Sequence, residues 1–222
     1  MPKEKDDAEI RKTPLGDYQN SKKHQDVQTI IFERLTRSLI AEGLIKTRGL
    51  SKAQIQSKAA EYILQHQPTV VPVIDHSDLV LEQAESHVTA KSPQLAILFY
   101  ATWTEHIINS IISIYGRRRR LELEEVTQII RETNFRAKLT WLLKLLKAPP
   151  IPEVHLKVLG ALMESRNSFV HYKWKPSDVD AERAAQRKLL AEFRKSKKFL
   201  DSYADKHVFK GYKYDPKPSS DA

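Results

Sequence analysis

The chain contains no cysteine, which excludes a disulfide framework and any thiolate-ligated metal and suits a reducing compartment. Glycine is scarce, at 6 of 222 residues, and alternating β-branched stretches are nearly absent, so strands and tight hairpins have little support. No run approaches the roughly 18 consecutive apolar residues of a membrane span. The most apolar window, residues 95–115, is interrupted by Glu105, His106 and Asn109. Residues 1–23 are polar, mix lysines with acids, and lack the apolar stretch of a signal peptide. His24, His66, His76, His87, His106, His155 and His207 show no metal-ligand spacing, and neither His-Glu-x-x-His nor a P-loop occurs. The expectation is therefore a cytoplasmic protein that spans no membrane and uses neither a metal nor another cofactor.

What the chain does hold is helical material. Leu, Ala, Lys, Glu and Gln abound, and 41% hydrophobic residues suffice for a core. An all-α fold follows. Residues 1–23 read as a flexible tail. A first helix is expected over about 25–41, stopping at Gly43. Ser51 and Gln54 have the spacing of a capping box and open a second helix ending near Gln65. Pro68 and Pro72 then impose an extended linker, which places a boundary between an N-terminal helical arm (24–75) and a helical bundle (76–204). In the bundle, helices are expected over 78–90, from Ser92-Pro93 to Tyr115 with a stop at Gly116, and over 122–132. Another runs from Asn134 as cap to about Lys147. Prolines in 148–152 make a rigid turn, followed by a helix over about 153–173. Pro176 breaks it, Ser177 caps a last charged helix to about Tyr203, and 205–222 read as a flexible tail.

The helix over 153–173 is the one with site-like chemistry. Leu159, Met163, Arg166 and Val170 fall on one stripe, with arginine among apolar residues. Gly160, Glu164, Asn167 and His171 form the neighbouring stripe, so Asn167 and His171 lie one turn apart. An arginine on an apolar stripe costs several kcal/mol if buried alone. A partner is available on the helix of residues 93–115, whose stripe Leu98, Thr102, Glu105, Ile108 and Ile112 carries one charge, Glu105. The combination suits RNA cleavage. Imidazole moves protons near neutrality, guanidinium grips phosphate oxygens and stabilises transition-state charge, and asparagine can orient either. RNA supplies its own nucleophile, the ribose 2′-hydroxyl.

An Arg-x4-His spacing alone arises readily by chance. The context is more specific: asparagine directly after the arginine, an aromatic and a valine before the histidine, and placement late on a helix behind a proline turn. The string Arg166-Asn-Ser-Phe-Val-His171-Tyr, with the Glu105 helix before it, resembles the HEPN superfamily over about residues 77–203. That resemblance implies a bundle of four or more helices, with an extra N-terminal arm here. It further implies a homodimer whose two motifs share one cleft, and metal-independent RNA cleavage leaving a 2′,3′-cyclic phosphate and a 5′-hydroxyl. Toxin and antiviral roles are common in the family, so an antitoxin or other regulatory protein is an expected partner. By position, Arg166 and His171 would be the catalytic pair and Asn167 the supporting polar residue; Glu105 is a looser match.

Plainer readings stand beside these. Arg166 and His171 also read as a satisfied helix-end pair, and Glu105 as a structural acid. The run Arg117 to Arg120 follows a helix end, where it opposes the dipole as a solvated turn; Arg117 and Arg118 are the candidates in it for phosphate contact. Tyr172, Lys173 and Trp174, just past the motif, are placed to stack on or hold RNA. The net charge of +9 favours a polyanionic partner only weakly. The stripe Ile30, Ile31, Leu35, Leu39 and Ile40 needs cover, from the bundle, a second protomer or an antitoxin. A non-catalytic helical adaptor remains the alternative function.

Overall fold

Eight helices make up the regular structure of residues 22–68, 76–171 and 178–213, the residues described in the computed structural model, and no strand occurs among them. The all-α expectation is met. α1 (Lys22–Glu42) and α2 (Lys52–His66) form the arm. α3 (Ser77–Thr89), α4 (Pro93–Arg118) and α5 (Leu123–Glu132) open the bundle. α6 covers 135–145, α7 is Glu153–Val170 and α8 is Val179–Tyr203.

Local chemistry sets most of the boundaries. Ser51 accepts from the Gln54 amide at 3.3 Å while the Gln54 side chain accepts from the Ser51 amide at 2.8 Å, which is the expected capping box. Asn134 Oδ1 accepts from the Ala137 amide at 2.9 Å. Proline occupies the first turn of α4, where a missing amide costs nothing. Gly43, after α1, has φ +80 and lets its amide reach back to the Ile40 carbonyl. α7 ends at Val170 with His171 as its cap, short of the expected end near residue 173, and two further boundaries differ from expectation. Asp178, not Ser177, caps α8, accepting from the amides of Asp180 and Ala181; Ser177 and the linker residues 69–75 lie outside the described residues.

The second of these further differences concerns Gly116, which does not stop α4; the helix continues to Arg118. A Cβ at this position would sit 2.8 Å from Cγ2 of Val126 on α5, so the glycine serves close helix approach. We expect Gly116→Ala to cost about 1–3 kcal/mol by overpacking. Denaturant titration checks this: adding Val126→Ala should recover part of the loss, and a stable single variant would contradict it.

α4 runs through the centre of the bundle, burying Ile97, Tyr100, Ala101, Thr104, Ile108 and Ile111 against its neighbours. It is the one described helix long and apolar enough to cross a membrane, and half of its most apolar stretch is buried inside the protein. Tyr100 and Trp103 meet Phe193 of α8 at ring separations of 4.8 and 6.4 Å. The core face is rotated from the expected stripe: Ile108 and Ile112 are buried, whereas Leu98, Thr102 and Glu105 sit at its edge.

Part of the arm's apolar stripe finds cover within its own chain, while Ile31 stays exposed and Ile30 and Leu35 are half-buried. Leu39 and Ile40 of α1 pack with Ile45, Ile55, Ala59 and Tyr212 in a second, smaller cluster. Tyr212 belongs to the stretch expected as a mobile tail from 205. That expectation is corrected for residues 205–213. The chain continues past α8 in a wide turn, Ala204–Val208, and buries Val208 and Tyr212. The Tyr212 hydroxyl donates to the buried Glu33 carboxylate of α1, which also holds Gln56 and Lys52. The tyrosine, lysine and glutamine contacts outweigh burial and draw the Glu33 carboxyl below its usual range.

Candidate active site on α4, α6 and α7

α7 enters the bundle through Leu159, Leu162 and Met163, all buried, and leaves it beyond Arg166. Arg166 is thus the last residue of the stripe still touching the core. Its Nη2 donates to Glu105 Oε2 at 2.9 Å, the ion pair expected from the two charged stripe positions. Their side chains keep 27% and 34% exposure, so the pair is half-open to solvent. The Arg166 Nε is buried without a hydrogen-bond partner among the described residues, as is Asn109 Oδ1, one turn beyond Glu105 on α4.

A third charge joins them. Lys138 Nζ lies 3.8 Å from Glu105 Oε1, with only 5% of the side chain exposed. Burial pushes the Lys138 ammonium below its ordinary range, and Glu105 partly opposes that shift. Lys138 begins a wide turn inside α6, Lys138–Leu142, where the Leu143 amide reaches five residues back to the Lys138 carbonyl. Such wide turns re-aim side chains and recur at functional sites. Two cations therefore share one carboxylate, leaving the group with an excess positive charge. Sequence reasoning passed over Lys138. The available signal was the one used for Arg166, a charge within an apolar stripe, here Phe135, Lys138 and Leu142.

The other expected residues distribute unevenly. Asn167 is half-buried on α7, and the His171 amide donates to the Asn167 carbonyl at 3.0 Å as the helix ends. The His171 side chain is exposed. Five residues of helix separate it from Arg166 by about 7.5 Å along the axis and about 140° around it. Arg166 thus looks inward to Glu105, while the imidazole opens on a different sector. Arg117 and Arg118 are about 18 Å along α4 from Glu105, and both are engaged. Arg117 pairs with Glu42 at 3.0 Å. Arg118 donates to the carbonyls of Ala41, His207 and Val208 and lies over the Tyr115 ring. Tyr172, Lys173 and Trp174 lie outside the described residues. Among the described residues no cluster of metal-ligating side chains occurs.

Fold and site together define an all-α protein with a lysine–glutamate–arginine group at the edge of its core and an exposed imidazole at the adjoining helix end. No protein-family model matches the chain, nor does any curated protein or solved structure.

Proposed function

We propose that the chain is a metal-independent endoribonuclease of the HEPN kind, active as a homodimer and serving as a toxin or antiviral effector. The observation that carries this reading is the Arg166–Glu105 ion pair. A carboxylate fixes the guanidinium through one Nη, which leaves its other Nη free to meet a phosphate oxygen in a set orientation. Lys138 adds a second positive charge behind it.

In this mechanism an imidazole takes the proton of the ribose 2′-hydroxyl as that oxygen attacks the adjacent phosphorus. The bond to the 5′-oxygen breaks, and an imidazolium returns a proton to it. The products are a 2′,3′-cyclic phosphate and a 5′-hydroxyl. Arg166 stabilises the charge on the phosphorane oxygens, and Asn167 orients the reacting groups. Because Arg166 and His171 point into different sectors of one helix, a site built from two protomers supplies both groups to one phosphodiester.

A second reading rests on Phe169 and Val170, which are 44% and 45% exposed beside the motif. In that reading the same helix end binds a protein partner or nucleotide and cleaves nothing.

Wild type and His171→Ala, expressed in bacteria and assayed on RNA in vitro, separate the two. The nuclease reading expects growth arrest and cyclic-phosphate termini from the wild type only, with cleavage reduced about 10²-fold or more in the variant. Harmless expression of both, with RNA intact, would overturn the nuclease reading and favour the adaptor.

A further inference from the structure

One arc of the solvent face of α8, between Arg183 and Lys198, carries only positive charge, with the exposed Asp180 one turn before it. Arg183, Arg187, Lys188, Arg194, Lys195 and Lys198 are all exposed. At 100° per residue they occupy an arc of about 140°, and from Arg183 to Lys198 they extend about 22 Å along the axis. The one acid between them, Glu192, falls outside that arc. Asp201, beyond its end, is taken by Lys197 at 3.1 Å. Arg194, at the edge of the arc, lies near the Tyr100 hydroxyl that Glu85 holds. The other five make no ion pair among the described residues.

The position of this ridge is as informative as its charge. His155, at the start of α7, meets Ser196 at 3.0 Å and stacks on Phe199 at 4.2 Å. Tyr203, at the end of α8, donates to the Pro149 carbonyl ahead of α7 at 2.7 Å; the two pairings together make α7 and α8 antiparallel, and counting twelve residues along each brings Asn167 level with about residue 184. The ridge begins beside the Arg166–His171 end of α7 and leads away from it.

We propose that this ridge binds the sugar–phosphate backbone of single-stranded RNA and forms a track running from the candidate site. Its apolar members are only Ala184 and Ala191. It has nothing to insert into a bilayer and no apolar or aromatic centre of the kind protein interfaces bury. A line of unpaired cations without such a centre fits a polyanionic strand, whose binding is driven by counterion release. The choice of RNA rests on the proposed function; the anionic backbone does not.

The test uses the full chain carrying His171→Ala, so that a fluorescent 20-nucleotide oligouridylate stays intact, with binding read by anisotropy from 50 to 200 mM salt. Neutralising Arg183, Arg187, Lys195 and Lys198 to Gln should reduce the slope of log Kd against log salt by about 3, at about 0.7 per phosphate contact. A control with Lys46, Lys58, Lys144 and Lys206 changed to Gln, equal in net charge, should move it by less than 1. Equal slopes for the ridge variant and its parent would overturn the proposal. So would an equal loss in the control, which would make the effect one of net charge. Loss of polyglutamate binding with RNA binding intact would assign the ridge to an acidic protein instead. Ridge-dependent binding by a wild type that cleaves no RNA would sink the proposed function and leave the track standing. Cleavage with an unaltered slope would do the reverse.

Discussion

Replacing Arg118 with alanine should destabilise the protein by about 3–4 kcal/mol, among the largest effects expected of any single change. This side chain donates to Ala41 at the end of α1 and to His207 and Val208 in the turn after α8, and it covers the Tyr115 ring. Three chain segments distant in sequence thus meet on one guanidinium. Hydrogen bonds from a charged donor contribute about 1.5–3 kcal/mol each, and the part-buried carbonyls of Ala41 and Val208, left without this donor, add to the loss, while that of His207 keeps the Tyr115 hydroxyl. The terms are not additive, because the segments they join move together. Thermal unfolding should fall by about 10 °C for a chain of this size. Lysine should recover less than half, since a single ammonium cannot present a fork to three acceptors. Full recovery by Arg118→Lys, or a loss under about 1 kcal/mol for alanine, would show that the three carbonyls are served otherwise.

Removing the carboxylate that holds two cations should be nearly as costly. Glu105→Ala leaves Lys138 buried without its counter-ion and Arg166 facing it across the gap. Breaking a fully buried pair costs about 3–5 kcal/mol. Because Glu105 and Arg166 are each about a third exposed, solvent screens part of that and about 2–3 kcal/mol is expected. The pH dependence identifies the cause. The Lys138 ammonium already titrates below its ordinary value of 10.5, and loss of Glu105 removes what opposed that shift. A lysine whose folded-state pKa is depressed binds its proton more weakly in the native than in the unfolded chain. Stability therefore rises with pH between the folded-state pKa and 10.5. The deficit of Glu105→Ala against wild type should shrink between pH 7 and pH 10. Adding Lys138→Met should restore most of the stability at pH 7. A deficit that is flat with pH and untouched by the second change would place the damage elsewhere.

The same three residues show how far a sequence can be read. Arginine on the stripe of Leu159, Met163 and Val170, and glutamate on that of Ile108 and Ile112, each violate the burial pattern of their helix. Two violations of opposite sign are a pairing hypothesis, and the distance of 2.9 Å bears it out. Lys138 violates its stripe in the same manner. It was harder to read because the wide turn at Lys138–Leu142 breaks the 3.6-residue period that such counting assumes. Arg118 was illegible for a different reason. In a run of four arginines every member looks alike, and only the arrival of α1 and of the turn after α8 distinguishes Arg118, which joins three segments, from Arg117 and Arg119, which each meet one. Val208 and Tyr212 were hidden similarly, in a short, mostly polar tail with no period to announce burial.

Sequence alone determined the helical class, the cap at Asn134, the capping box at Ser51, and the candidate partners on α4 and α7. These depend on contacts within a few residues, or on a charge whose burial would be too costly unpaired. Tertiary structure alone decided which arginines join the arm to the bundle, where the chain past Tyr203 is buried, and that Gly116 serves close packing with α5. It also decided that a lysine shares Glu105. Those outcomes depend on which surfaces meet across long stretches of chain, and pairwise proximity of that kind leaves no periodic mark in the order of residues.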